Sequence, residues 1–199
     1  MKHVVFCALL GYITMQGVLF GAENQASLSP EKTLQLRLDA AVAVLRDDRL
    51  DLEAKGDRIT EIVSPLFDFP LMGKLALGPK HWPQFSKQQR AEYHELFTAH
   101  LKKAYRKKLM LYTDEEIVYK SAVTKAAKAE VLTELVSKEN QIEVLYKLRR
   151  IEGKWKIYDV KVQGVSLRKS YEAQFHDILS RGTPADLFAA LRDQKEEIE

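Results

Sequence analysis

Ile142-Glu-Val-Leu-Tyr-Lys-Leu-Arg-Arg-Ile-Glu-Gly-Lys-Trp-Lys-Ile-Tyr-Asp-Val-Lys-Val162 is the stretch that decides the fold class. Ile142, Val144, Tyr146 and Leu148 recur at every second position, and Tyr158, Val160 and Val162 do so again. A period of two belongs to a strand with one apolar face. Glu152-Gly153 between the two runs suits a tight turn, so the pair reads as an antiparallel hairpin. Upstream, Val131, Thr133 and Leu135 alternate in the same way, as do Ile117, Tyr119 and Ser121, and Glu139-Asn140 supplies another turn. The expectation is a twisted four-stranded antiparallel sheet ended by Gly164.

On either side of this region the period becomes helical. Ser86-Lys-Gln-Gln89 is a capping box, in which serine and glutamine satisfy each other's free backbone donors. The helix it opens is expected to reach about Tyr112, with Tyr93, Leu96, Phe97, Leu101, Tyr105, Leu109 and Tyr112 on its apolar face. Ser29-Pro30 starts an earlier helix carrying Leu34, Leu38, Ala41 and Leu45. A second holds Ile59, Ile62, Val63 and Leu66, and a short apolar piece over 71–78 ends at Gly78-Pro79. After the sheet, helices are expected over 167–180 and, behind Thr183-Pro184, over 185–194. Helices, then strands, then helices indicate one α+β domain over residues 29–194, followed by a frayed tail at 195–199.

Residues 1–22 differ from the rest. Lys2 and His3 precede an uncharged run from Val4 to Phe20 that ends in Gly21-Ala22. A basic start, an apolar stretch and small final residues describe a cleaved secretory signal peptide. The sole cysteine, Cys7, lies within it, so the mature chain is expected to lack disulfides, thiolate metal sites and a cysteine nucleophile. Loss of Lys2 takes the formal charge from +3 to +2, too small to argue for nucleic acid.

The common catalytic classes need a nucleophile held by a base, or a metal with several ligands. No HExxH, CxxC, GxSxG or glycine-rich phosphate loop occurs. His94 and His100, six residues apart, fall on different faces of one helix. Asp159, inside an apolar strand, is the best candidate for a general base in a small cavity enzyme; the plainer reading is an outward charge or the partner of a basic side chain. The basic run at 102–108 could meet acidic headgroups or an acidic partner, although such runs more often form a solvated helix face. Its single aromatic, Tyr105, makes a poor stacking platform for nucleic acid. The apolar faces of the long helix and the sheet could enclose either a filled core or a cavity for an apolar ligand, and periodicity alone does not separate these.

Several runs in order carry a family likeness: Leu75-Ala-Leu-Gly-Pro-Lys-His-Trp82, Ser86-Lys-Gln-Gln-Arg-Ala-Glu-Tyr-His-Glu-Leu-Phe97 and Leu101-Lys-Lys-Ala-Tyr105. Gly153-Lys-Trp-Lys-Ile-Tyr-Asp-Val160, Gly164-Val-Ser-Leu167, Tyr171-Glu-Ala-Gln-Phe175 and Leu179-Ser-Arg-Gly182 continue it. Together they resemble the MlaC-like periplasmic phospholipid-binding proteins of the Mla lipid-transport system, also called the toluene-tolerance auxiliary family. The resemblance implies a periplasmic carrier, not an enzyme, that shuttles phospholipid between an outer-membrane lipoprotein complex and an inner-membrane ABC transporter complex. It implies helices wrapped around the sheet, an apolar pocket for two acyl chains, no cofactor and no metal; a monomer is expected. A related branch associated with hopanoid or other terpenoid lipids is the alternative within the family, and the Asp159 enzyme the alternative outside it. On this likeness Leu75, Leu77, Tyr105, Leu109, Tyr112, Val144, Tyr146, Leu148, Tyr158, Val160 and Val165 are expected to line or gate the pocket. The short, proline-free segment Val136-Ser-Lys-Glu-Asn-Gln-Ile142 is a departure from the family pattern that could alter the pocket rim.

Overall fold

A computed structural model describes residues 28–109, 116–138 and 140–193. The expected signal peptide, the expected tail and Tyr112 lie outside the described residues. Among the described residues, six α-helices flank one antiparallel sheet: α1 Pro30–Leu45, α2 Leu52–Val63, α3 Phe69–His81 and α4 Lys87–Leu109 precede it, and α5 Leu167–Arg181 and α6 Pro184–Arg192 follow. Local chemistry explains the helix starts. Ser29 caps α1 by accepting the Lys32 N–H at 3.2 Å, with Pro30 in the first turn. Ser86 and Gln89 make both bonds of the capping box, at 2.8 and 3.2 Å. Asp68 caps α3, and Gly78 interrupts its end with a φ of 71°, a left-handed conformation open to glycine, before Pro79 restarts the turn.

The sheet has six strands where four were expected. They are β1 Glu116–Tyr119, β2 Val123–Lys125, β3 Lys128–Val136, β4 Gln141–Ile151, β5 Lys154–Val162 and β6 Val165–Ser166. The order is β1-β3-β4-β5-β6, with β2 also on β3. Both additions are short and have identifiable causes. The expected first strand breaks after Tyr119 because the Ala122 N–H donates to Glu31 of α1 at 2.6 Å; the chain then resumes as β2. At the other edge, Gln163 and Gly164 take positive φ values of 48° and 79° and form a tight turn, so the chain folds back as β6 beyond the expected end.

Two apolar cores form. One, between α3, α4, α5 and α6, is an aromatic cluster in which Tyr93 stacks on Phe97 at 5.6 Å and Phe175 meets both rings edge-on. The other is the inner face of the sheet, covered by Leu34 and Leu38 of α1 and by Leu66. Among the described residues, Phe67 and Leu167 are the two that pack against both cores.

Candidate functional site

The inner face of the sheet follows from register. Thr133 pairs with Val144, which pairs with Val162; Val131 pairs with Tyr146, which pairs with Val160. Ala129 pairs with Leu148, which pairs with Ile157. Alternation puts these rows on one side, with Ile117 and Tyr119 joining from β1. Glu130, Glu134, Glu143, Lys147 and Lys161 alternate with them, and Lys147 pairs with Glu130 at 2.8 Å. The result is an apolar sheet face under α1 and a charged opposite face.

The expected pocket residues fall into separate groups. Val144, Leu148 and Val160 are buried in the sheet core, and Tyr146 packs against it half-buried. Leu77 belongs to the helical core, Tyr105 packs on that core, and Leu75 is half-buried on α3. Val165 stands 63% exposed on β6. The Leu109 side chain, at the end of α4, and all of Tyr112 lie outside the described residues. A bulge at Lys147/Leu148 changes the phase of β5: Ile157 takes the place opposite Leu148, and Tyr158 becomes the extra residue, half-buried.

The residues that the sequence reading overlooked are those at the seam between the cores. Phe67 makes an isolated parallel bridge to Ile157, and its ring stacks on Phe69 at 5.5 Å. Leu167 begins α5 directly after the β6 turn. Phe67 belongs to no periodic apolar run, and Leu167, although part of the run Gly164-Val-Ser-Leu167, carries no periodicity that marks it as a contact of both cores.

Asp159 is buried, 3% exposed, and fully engaged. It accepts the Ser166 hydroxyl at 2.8 Å and the Arg168 N–H at 3.2 Å. Ser166 in turn accepts the Lys169 N–H as the cap of α5. The carboxylate therefore holds the start of a helix and does not point outward, and its charge also helps to raise the pKa of Lys147. Lys147, opposite it in register, is held protonated by its bond to Glu130, against the opposing effect of burial. His81 Nε2 and His176 Nδ1 lie 2.9 Å apart between α3 and α5, and burial, aided by His176 and Lys80, pushes the His81 pKa down. No group of three or more metal-ligating side chains converges among the described residues.

The basic run of α4 is partly committed. Arg106 bonds Asp57 at 2.9 Å and the Glu53 carbonyl at 2.6 Å, clamping α2, and Lys102 lies over the Phe69 ring. An open depression of about 460 Å³ on α4 is lined by His94, Glu95, Thr98, Ala99 and Lys102, none of them an expected pocket residue. No described helix is long and apolar enough to cross a membrane.

Comparison with known proteins places this architecture. A relative named toluene tolerance protein ttg2D, from Pseudomonas putida, is 26% identical over 127 residues, 63% of this chain and 59% of the relative. The chain thus spans about three fifths of the length of the curated relative it matches. A solved phospholipid-binding protein from Ralstonia solanacearum, determined in complex with a phospholipid, superposes with a TM-score of 0.73 at 21% identity, over 83% of this chain and 96% of that one. At that identity the likeness speaks for the fold. The family model described as MlaC protein matches residues 37–193, which is most of the chain, and the protein belongs to the MlaC family.

Proposed function

We propose that the protein is a periplasmic phospholipid carrier, not an enzyme. It holds the two acyl chains of a diacyl phospholipid between the helical layer and the inner face of the sheet. It shuttles this cargo, as a monomer, between an outer-membrane lipoprotein complex and an inner-membrane ABC transporter complex. The observation that carries the reading is the division of the interior into two apolar cores joined through Phe67 and Leu167. Parting such a seam yields a slot with apolar walls and leaves the charged face of the sheet in water. Family membership supports it, as do the names of the relatives, one a toluene tolerance protein and one a phospholipid-binding protein.

The energetics explain why such a protein needs no catalytic group. Burying a methylene is worth about 0.8 kcal/mol, so two chains with roughly 30 methylenes represent on the order of 24 kcal/mol against water. A pocket as apolar as the bilayer cancels most of that cost and leaves transfer near balance. Direction then comes from the partners. Val144, Tyr146, Leu148 and Val160 form the sheet wall, Leu75, Leu77 and Tyr105 the helical wall, and Tyr158 and Val165 the rim. The test is native mass spectrometry of protein purified without detergent, followed by lipid extraction. A mass excess of one diacyl phospholipid is expected; an apo mass that also gains nothing from vesicles would sink the proposal.

A further inference from the structure

The apolar face of the sheet is fastened very unequally on its two sides. On the β5–β6 side the chain is sewn to the helical layer by one backbone bond, Asp68 N–H to the Ile157 carbonyl at 2.8 Å, and by the buried Asp159 carboxylate, which accepts from the Arg168 N–H at the start of α5. Arg149 reaches across to Asp68 as well. On the opposite side, β1 and β2 form an edge that, among the described residues, pairs with β3 alone. The element lying over that side is α1, which buries just Pro30, Leu34 and Ala41 of its sixteen residues.

Among the described residues, two hydrogen bonds join α1 to this edge. The Tyr119 hydroxyl of β1 donates to Asp39 at 2.7 Å, and the Ala122 N–H, in the break between β1 and β2, donates to Glu31 at 2.6 Å. Both carboxylates come from α1, eight residues apart, so they grip the edge at two points roughly 12 Å apart along the helix axis. Tyr119 also sits on the inner face of the sheet, beside Thr133 and Val144. Breaking these bonds exposes polar groups that water satisfies at once, whereas opening the β5–β6 side would break a backbone bond and expose the buried Asp159.

We propose that acyl chains pass into and out of the protein between α1 and the β1–β2 edge, and that Tyr119–Asp39 and Ala122–Glu31 are the latch of this portal. The proposal rests on the carrier reading. Tyr119 and Asp39 are positioning residues: they hold α1 down and make no claim on the lipid headgroup.

Two opposed perturbations test it, read as exchange of a fluorescent phospholipid between the full-length protein and phosphatidylglycerol–phosphatidylethanolamine vesicles. Tyr119→Phe removes the hydroxyl–carboxylate bond with little change of shape, and Asp39→Asn weakens it by replacing the charged acceptor with a neutral amide oxygen. Tyr119→Phe is expected to speed exchange about fivefold to tenfold, the population change that one net hydrogen bond produces, and Asp39→Asn about twofold. Conversely, Asp39→Cys with Tyr119→Cys in a Cys7→Ser background, bridged by a short bismaleimide, ties α1 to the edge. Bridging is expected to slow exchange at least tenfold while lipid loaded beforehand stays bound. Bridged and unbridged protein exchanging at the same rate would overturn the portal, and so would unchanged rates in both Tyr119→Phe and Asp39→Asn. If the unmodified protein takes up no lipid at all, the carrier reading itself falls, and the portal with it.

Discussion

Arg149 of β4 bonds through Nε to Asp68, the buried carboxylate that caps α3. The Asp68 N–H donates in turn to the Ile157 carbonyl of β5. One residue thus starts a helix, extends a sheet edge and receives a cation from the neighbouring strand. Arg149 is 39% exposed at its side chain and Asp68 only 5%. Arg149→Ala leaves that carboxylate without its cation, so the expected cost is about 2–3 kcal/mol, at the low end for a buried pair because Arg149 is itself part-solvated. The denaturant midpoint reads it; a shift under about 0.5 kcal/mol, the ordinary range for surface changes, would show that the bond contributes little.

Asp159→Asn separates a capping role from a catalytic one. The amide keeps an acceptor for the Arg168 N–H but presents a weaker partner to the Ser166 hydroxyl. Loss of one charge-assisted bond in a buried setting is expected to lower stability by about 1–2 kcal/mol. Urea unfolding checks it, and Asp159→Asn with wild-type stability would contradict the anchoring role.

Much of this architecture is legible in the residues themselves. Ser86 and Gln89, Ser29 with Pro30, and Thr183 with Pro184 mark helix starts because a cap is satisfied within three residues of chain. The alternation from Val131 to Val162 yields β3, β4 and β5 because a half-buried strand must alternate. What was not legible depends on contacts far apart in sequence. The break between β1 and β2 arises from Glu31, some ninety residues upstream of Ala122. The bulge that substitutes Ile157 for Tyr158 opposite Leu148 leaves no mark in a run where Ile157, Tyr158 and Val160 are all suited to a strand. Phe67 sits in irregular chain just before α3 and Leu167 at the first position of α5, where periodicity has little to act on.

The histidines predict how the fold responds to acid. Burial lowers the His81 pKa, with His176 and Lys80 adding to the effect, and burial alone lowers those of His94 and His100. A group with a folded pKa below its unfolded value binds its proton more readily in the unfolded chain. Stability is therefore full above the ordinary histidine value of 6.5 and falls as the pH drops through it toward the folded values. Protonating both His81 and His176 also removes the acceptor from their shared bond. The melting temperature should be lower at pH 5.5 than at pH 7.5, and His81→Gln should flatten that difference. Equal melting temperatures at the two values would contradict the expectation.

Leu167 offers the sharpest test of where the acyl chains lie. Leu148→Ala, at a fully buried position, is expected to cost about 2–5 kcal/mol and so confounds folding with binding. Leu167 is different: it is half-buried, touches both cores and occupies the first turn of α5. A carboxylate there interacts favourably with the helix dipole, by about 0.3–1 kcal/mol, which offsets part of the lost packing. Leu167→Glu should therefore fold, yet it sets a charge at the seam where an acyl chain would have to desolvate it, at a cost of several kcal/mol. Lipid recovered with the purified protein should drop at least tenfold. Leu52→Glu, at the 73% exposed first residue of α2, should match the wild type in stability and lipid content and serves as the charge control. If folded Leu167→Glu carries lipid as well as the wild type, the chains lie away from the seam.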